Sequence, residues 1–212
     1  MNADNGGGAA KESVLPTHIS LVMDKEKIGD FFPIMQRGFL VPAWFPCTVG
    51  NLLHEQFGVE REYISDRITT IFLDGKAIDD PDEALVSDHS TIALSAAMPG
   101  VVGASLRRGS FYATMRDAVT YTEKEIPTES FAGVVRIKIF NLLLNELGHG
   151  FLKRGIIMTP SDLSDFILDH PETIRQGCHV GAKNGQPFDP SSLTEGNMFG
   201  KDDIIKLSIE FR

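Results

Sequence analysis

The stretch FLDGKAIDDPDEALVSDHSTIALSAAMPG, residues 72–100, places two apolar runs on either side of a tight turn and an acidic loop. Ile68 to Leu73 is β-branched and apolar, so it is predicted to be a strand. Asp74-Gly75 suits a two-residue hairpin turn, which needs positive φ at both central positions. Thr91 to Ala96 supplies a closing strand. Upstream, His18 to Met23 alternates polar and apolar side chains, as a half-buried strand does. Gly38 to Phe45 is a second apolar run, in which Pro42 lacks an N–H and therefore fits an edge or a bulge. In CTVGNLLHEQFG, residues 47–58, Thr48 can cap a helix and Val49, Leu52, Leu53 and Phe57 fall at spacings of three and four. Gly58 ends that helix.

Strand, strand, helix, strand, strand is an order that packs as one mixed sheet with the helix across one face. Together with Asp74-Gly75, Leu85 in the acidic loop, Asp88 and the run Ile92-Ala93-Leu94, it resembles the ubiquitin-like β-grasp superfamily. The sulfur carriers of molybdopterin and thiamine synthesis are the members it is most similar to. The resemblance covers roughly residues 17–100. In those carriers a free terminal glycine carboxylate is adenylated and converted to a thiocarboxylate. Pro99, Gly100 and Gly103 stand where that tail would be, yet there is no diglycine and the chain runs on. Carrier chemistry would require processing after Gly100 or Gly103.

The second half repeats several landmarks. Val134 to Phe140 alternates like a first strand, and Gly150-Phe151-Leu152 repeats Gly38-Phe39-Leu40. Thr159-Pro160-Ser161 opens a helix with Leu163, Phe166 and Ile167 on one face. Asn184-Gly185 answers Asp74-Gly75, and Ile205 to Ser208 answers Ile92 to Ser95. Gly38 lies 37 positions before Gly75, and Gly150 lies 35 before Gly185. This spacing predicts an α+β chain of tandem β-grasp units. The expected boundaries are a flexible leader at 1–13, one unit at 14–98, a connector at 99–131 and a second unit at 132–212. Leu142, Leu143, Leu144 and Leu147 read as helical, which makes strand-then-helix an alternative opening for the second unit. Trp44 or Phe111 is expected to fill the contact between units, or a core.

The net charge of -9 is uneven: residues 14–98 carry 6 basic and 13 acidic side chains, residues 132–212 carry 9 and 10. An acidic surface repels phosphate backbones, so nucleic acid is not an expected partner. Two cysteines form no disulfide framework, and the most apolar run, Thr91 to Leu106, is broken by Pro99 and glycines. A cytoplasmic protein without a membrane span is the expectation.

Candidate chemistry is sparse. Ser105, Arg107 and Arg108 in GVVGASLRRGS, residues 100–110, could hold a phosphate or carboxylate, although the loop matches neither a Walker loop nor the dinucleotide fingerprint. The alternative is a linker whose arginines pair with the acidic first unit. His54-Glu55 begins like a zincin helix, but Gly58 stands where the second histidine belongs. Cys178-His179 would point to opposite faces of a strand. No metal, cofactor or catalytic set is therefore expected. Asp79, Asp80, Asp82, Glu83 and Asp88 form an acidic face suited to a basic protein partner. The resulting expectation is a non-catalytic protein-interaction or adaptor module. A processed sulfur carrier and a small anion-binding protein or enzyme are the alternatives.

Overall fold

The structure, a computed structural model, describes residues 16–97, 103, 106–108, 129–195 and 198–212. It is a mixed α/β molecule with one large mixed sheet and several helices. The first run of elements is β1 (Thr17–Met23), a 3-10 turn (Lys25–Phe31), α1 (Phe32–Arg37), β2 (Phe39–Phe45), β3 (Cys47–Thr48) and α2 (Val49–Asn51). A π-helical turn, Leu52–Gln56, extends α2, and α3 (Arg61–Asp66), β4 (Thr70–Leu73), β5 (Lys76–Ile78), β6 (Leu85–Val86) and β7 (Thr91–Ser95) follow. The second run is β8 (Phe131–Phe140), α4 (Leu143–Arg154), β9 (Ile156–Met158), α5 (Pro160–Asp169), α6 (Pro171–Arg175), β10 (Cys178–Lys183), β11 (Gln186–Phe188), a 3-10 segment (Pro190–Glu195) and β12 (Ile205–Phe211).

Local chemistry explains most of these boundaries. Thr48 caps α2 by accepting from the Asn51 N–H at 3.2 Å. Thr159 and Asp162 form a reciprocal capping box at the start of α5. Both hairpins turn as their sequences predict, with φ of 52° and 80° at Asp74-Gly75 and 50° and 79° at Asn184-Gly185. The helices α1 and α4 each end on Arg-Gly: Gly38 has φ 109° and Gly155 has φ 99°, a backbone region that disfavours side chains. Each glycine also lies under long basic side chains. A Cβ at Gly38 would meet Lys138 and Arg136, and one at Gly155 would meet Lys206.

The structure thus matches Gly38 with Gly155 rather than with Gly150. Gly150-Phe151-Leu152 lies inside α4, so the expected strand there is a helix. The leucines from 142 onward decide this, because their spacing buries Leu143, Leu144, Phe151 and Leu152 on one side. A helix also separates β1 from β2, which the sequence places as consecutive strands.

Ten strands form the sheet in the order β11-β10-β1-β12-β9-β2-β8-β7-β4-β5. The first strand of each run sits among strands of the other run. β8 runs antiparallel to β2 and parallel to β7. β1 runs antiparallel to β10 and parallel to β12. Between the two sets of five strands, β2 and β9 meet at a single pair, Leu40 opposite Ile157. Pro42 lies just beyond that pair, where β2 has only β8 beside it, so its missing N–H costs no ladder bond.

The buried side chains form one cluster spanning both runs. Phe151 packs edge-on against Phe39 and Phe57, with ring centroids 5.3 and 5.4 Å apart, and Phe31 stacks on Phe166 at 4.5 Å. Trp44 takes no part in this contact. It is 64% exposed, because it alternates with the inward-facing Ala43 and Phe45. Phe111 lies outside the described residues. Among the described residues, no helix is long and apolar enough to cross a membrane.

Candidate functional site

Among the described residues, β5 is the last strand at one end of the sheet and pairs with β4 through Ile71–Ile78, Phe72–Ala77 and Leu73–Lys76. Its hairpin is fixed to the start of β7, since the Asp74 carboxylate accepts from the Ser90 hydroxyl at 3.0 Å and the Thr91 N–H at 2.8 Å. The chain leaves β5 directly into Asp79-Asp80-Pro81-Asp82-Glu83. Asp79, Asp80, Asp82 and Glu83 are exposed.

That loop has a defined shape. Asp80 accepts from the Asp82 N–H at 2.8 Å, an Asx-type turn. The Pro81 and Ala84 carbonyls accept from the Gly50 and Val49 N–H groups at 2.7 and 2.9 Å, which seats the loop over the first turn of α2. Gly50 permits this approach, because a Cβ there would lie 2.0 Å from Asp82 Oδ1.

Two of the residue sets singled out in the sequence meet at this loop. Arg61 donates to Asp82 at 3.3 Å. Arg108 donates from its guanidinium to the Ile64 and Ile68 carbonyls at the end of α3, and from its backbone N–H to Thr69 O at 2.9 Å. Burial lowers the Arg108 pKa, and the charges of Asp80 and Asp79 oppose that shift. A hollow of about 410 Å³ lies between Arg61, Ser65, Pro81, Asp82 and Arg108. Arg108 is thus already committed to helix carbonyls beside carboxylates, a poor setting for an added anion. Arg107 is exposed, with its N–H donated to Gly103 O at 3.1 Å, and Gly103 is buried with helical backbone. Pro99, Gly100 and Ser105 lie outside the described residues.

Asp88 stands apart from the loop. One of its oxygens accepts from the Val134 N–H at 2.9 Å and the His89 N–H at 3.0 Å, so it holds β8 beside the turn before β7. Among the described residues, no group of three or more His, Cys, Asp or Glu could hold a metal ion. His54 bonds to Val59 O at 3.0 Å, and His179 pairs with Asp24 at 2.7 Å.

Two other strand edges are blocked chemically. β11, at the far end of the sheet, contains Pro187. Beyond Leu40, β2 presents Pro42 and then Trp44, whose N–H and C=O are both taken by the Gln56 side-chain amide at 2.8 and 2.9 Å. The amide imitates one rung of a neighbouring strand. Sequence reading missed this clamp, since nothing in the spacing of Trp44 and Gln56 announces it. It also missed a cleft where β2 meets β9, lined by Arg37, Arg136, Asp162, Asp169 and apolar side chains. The repeated Arg-Gly at residues 37–38 and 154–155 was the available signal.

No family model, no curated protein and no solved structure matches the chain.

Proposed function

We propose that the chain is a non-catalytic protein-interaction module built from two β-grasp-like units, and that it takes a basic, extended segment of a partner protein at the acidic loop that follows β5. Support for the two-unit reading comes from strand neighbourhoods. The sets β2-β8-β7-β4-β5 and β9-β12-β1-β10-β11 each contain one parallel pair flanked by antiparallel ones, and each holds a hairpin at its outer end. In the docking reading the contact surface is the loop and not the strand before it, since Ala77 and Ile78 of β5 are buried and cannot accept an added strand. The observation that carries it is the row of exposed carboxylates on this loop, Asp79, Asp80, Asp82 and Glu83. Arg61 forms a salt bridge with Asp82. Lysine or arginine side chains of a partner segment would meet the carboxylates of Asp80 and Glu83 there.

A lysine-rich, β-branched octapeptide and a glutamate-for-lysine counterpart test the proposal. The basic peptide should shift the amide resonances of Asp79, Asp80, Asp82 and Glu83. Asp80→Asn and Glu83→Gln should each weaken it by about threefold, the scale of exposed charge pairs. Equal binding of both peptides, or resonance shifts that leave this loop untouched, would refute the docking mode.

A further inference from the structure

The single rung between β2 and β9 leaves an opening in the sheet that the neighbouring helices frame but do not fill. α1 ends at one side of this seam, at Arg37-Gly38, and α5 begins at the other, at Thr159. The cleft between them has a volume of about 280 Å³. Ile34, Phe39, Ile157, Met158 and Phe166 give it apolar surface. This size lies at the lower end of ligand pockets, so it suits a small molecule rather than a lipid chain or a nucleotide.

Charge is divided across the seam. On the β2 side stand Arg37, on the last turn of α1, and Arg136, on β8. On the β9 side stand Asp162 and Asp169, both on α5, and Asp203, just before β12. Some of these groups are already engaged. Arg136 donates one N–H to Gly38 O at 3.1 Å, which fixes the guanidinium at the cleft while leaving its other donors. Asp162 serves the capping box, and Asp203 accepts from the Gly200 N–H at 2.9 Å. Arg37 and Asp169 form no ion pair among the described residues. Three carboxylates against two guanidinium groups would repel a phosphate ester. A ligand carrying one charge of each sign fits the arrangement, with an apolar group between the walls.

We propose that this cleft binds a small zwitterion with an apolar side chain, an α-amino acid or dipeptide of the leucine or phenylalanine kind. The carboxylate lies toward Arg37 and Arg136, the ammonium toward Asp169, and the side chain against Phe39 and Phe166. Charge-assisted hydrogen bonds at the two ends supply selectivity, and the apolar surface supplies the burial. The site is separate from the acidic loop, so either proposal can fail alone.

Titration calorimetry of the full chain with L-leucine, L-phenylalanine and leucyl-leucine tests it. The controls are 4-methylpentanoate and 3-methylbutylamine, which keep the side chain and one charge each. At least one zwitterion should bind saturably, and removal of either charge from it should weaken binding by about tenfold. Arg37→Gln should weaken that zwitterion similarly while leaving 3-methylbutylamine unchanged, a readout that general loss of structure would not produce. The proposal is overturned if none of the three zwitterions saturates by about 10 mM. It is also overturned if a singly charged control binds as well as the zwitterion, or if Arg37→Gln leaves the affinity intact.

Discussion

Cys178 illustrates how placement alters a side chain's chemistry. It begins β10 opposite Met23, at the irregularity in the β1–β10 ladder, and burial pushes its thiol from an ordinary value of 9.0 up to about 11. The native state therefore keeps its proton in a range where the unfolded chain has lost it. Stability must then fall as pH rises from about 9 to about 11, since the unfolded state binds fewer protons there. Two consequences are measurable. At pH 8 the thiolate fraction should be about a hundredfold below that of an unshifted cysteine, so a disulfide reagent should modify Cys178 slowly. Denaturant melts between pH 9 and 11 should also flatten in a Cys178→Ser variant. Rapid modification at pH 8, together with an unchanged alkaline slope in the variant, would contradict this placement.

At the scale of elements, the open side of β2 is the telling case. Pro42 offers no donor, and Gln56 occupies both polar groups of Trp44. A strand approaching there meets no free rung, which is how natural sheets avoid pairing with other chains. Gln56→Ala should cost about 1 kcal/mol, the net worth of roughly one to two hydrogen bonds, in chemical denaturation. It should also raise self-association in sedimentation velocity, because the freed rung lies next to the exposed indole of Trp44. A variant as monomeric and as stable as the parent would argue against the clamp.

The same scale shows what the sequence could and could not reveal. Both hairpin turns, the capped starts of α2 and α5, and the placing of Pro42 at an edge were legible, because each is dictated within a few residues. The helix from Leu143 was visible as a leucine spacing that disagreed with a strand. What misled was the triplet Gly-Phe-Leu. Two matching triplets suggested equivalent strands, whereas the physical equivalence is between Arg37-Gly38 and Arg154-Gly155, each closing a helix with positive φ. Of the site, the acidic loop was apparent from composition. The sequence allowed the connector's arginines to pair with the acidic unit, but the bonds of Arg108 to the Ile64 and Ile68 carbonyls beside Asp80 depend on tertiary packing. Asp88 was grouped with the loop by proximity in sequence, and the structure instead gives it the amide of Val134.

For the whole molecule, the governing feature is the exchange of first strands. β8 supplies the parallel neighbour of β7 and β1 supplies that of β12. A fragment spanning residues 14–115 would carry β1 without its partners and would leave β7 and β2 without β8. The complementary fragment, 116–212, would be deficient in the same way. Neither should show a cooperative thermal transition alone, and mixing should restore one, monitored by circular dichroism at matched concentration. Autonomous folding of either fragment would be incompatible with the exchanged arrangement. Loss of one central strand removes several fully buried side chains, Ile19, Leu21 and Met23 on β1 or Val135, Ile137 and Ile139 on β8. At about 1.5–3 kcal/mol for each, such a loss exceeds half of a typical domain's net stability.

The pairing of β1 with β12 bears on how the protein responds to tension. These strands lie side by side and parallel, from Thr17 opposite Ile205 to Met23 opposite Phe211. A pulling force applied between residues 16 and 212 acts on opposite ends of this ladder. It loads all the rungs together, as in a lap joint under shear, instead of peeling them one by one. The molecule should therefore resist stretching along that axis far better than along one drawn through the β10–β11 hairpin, where the bonds would open in succession.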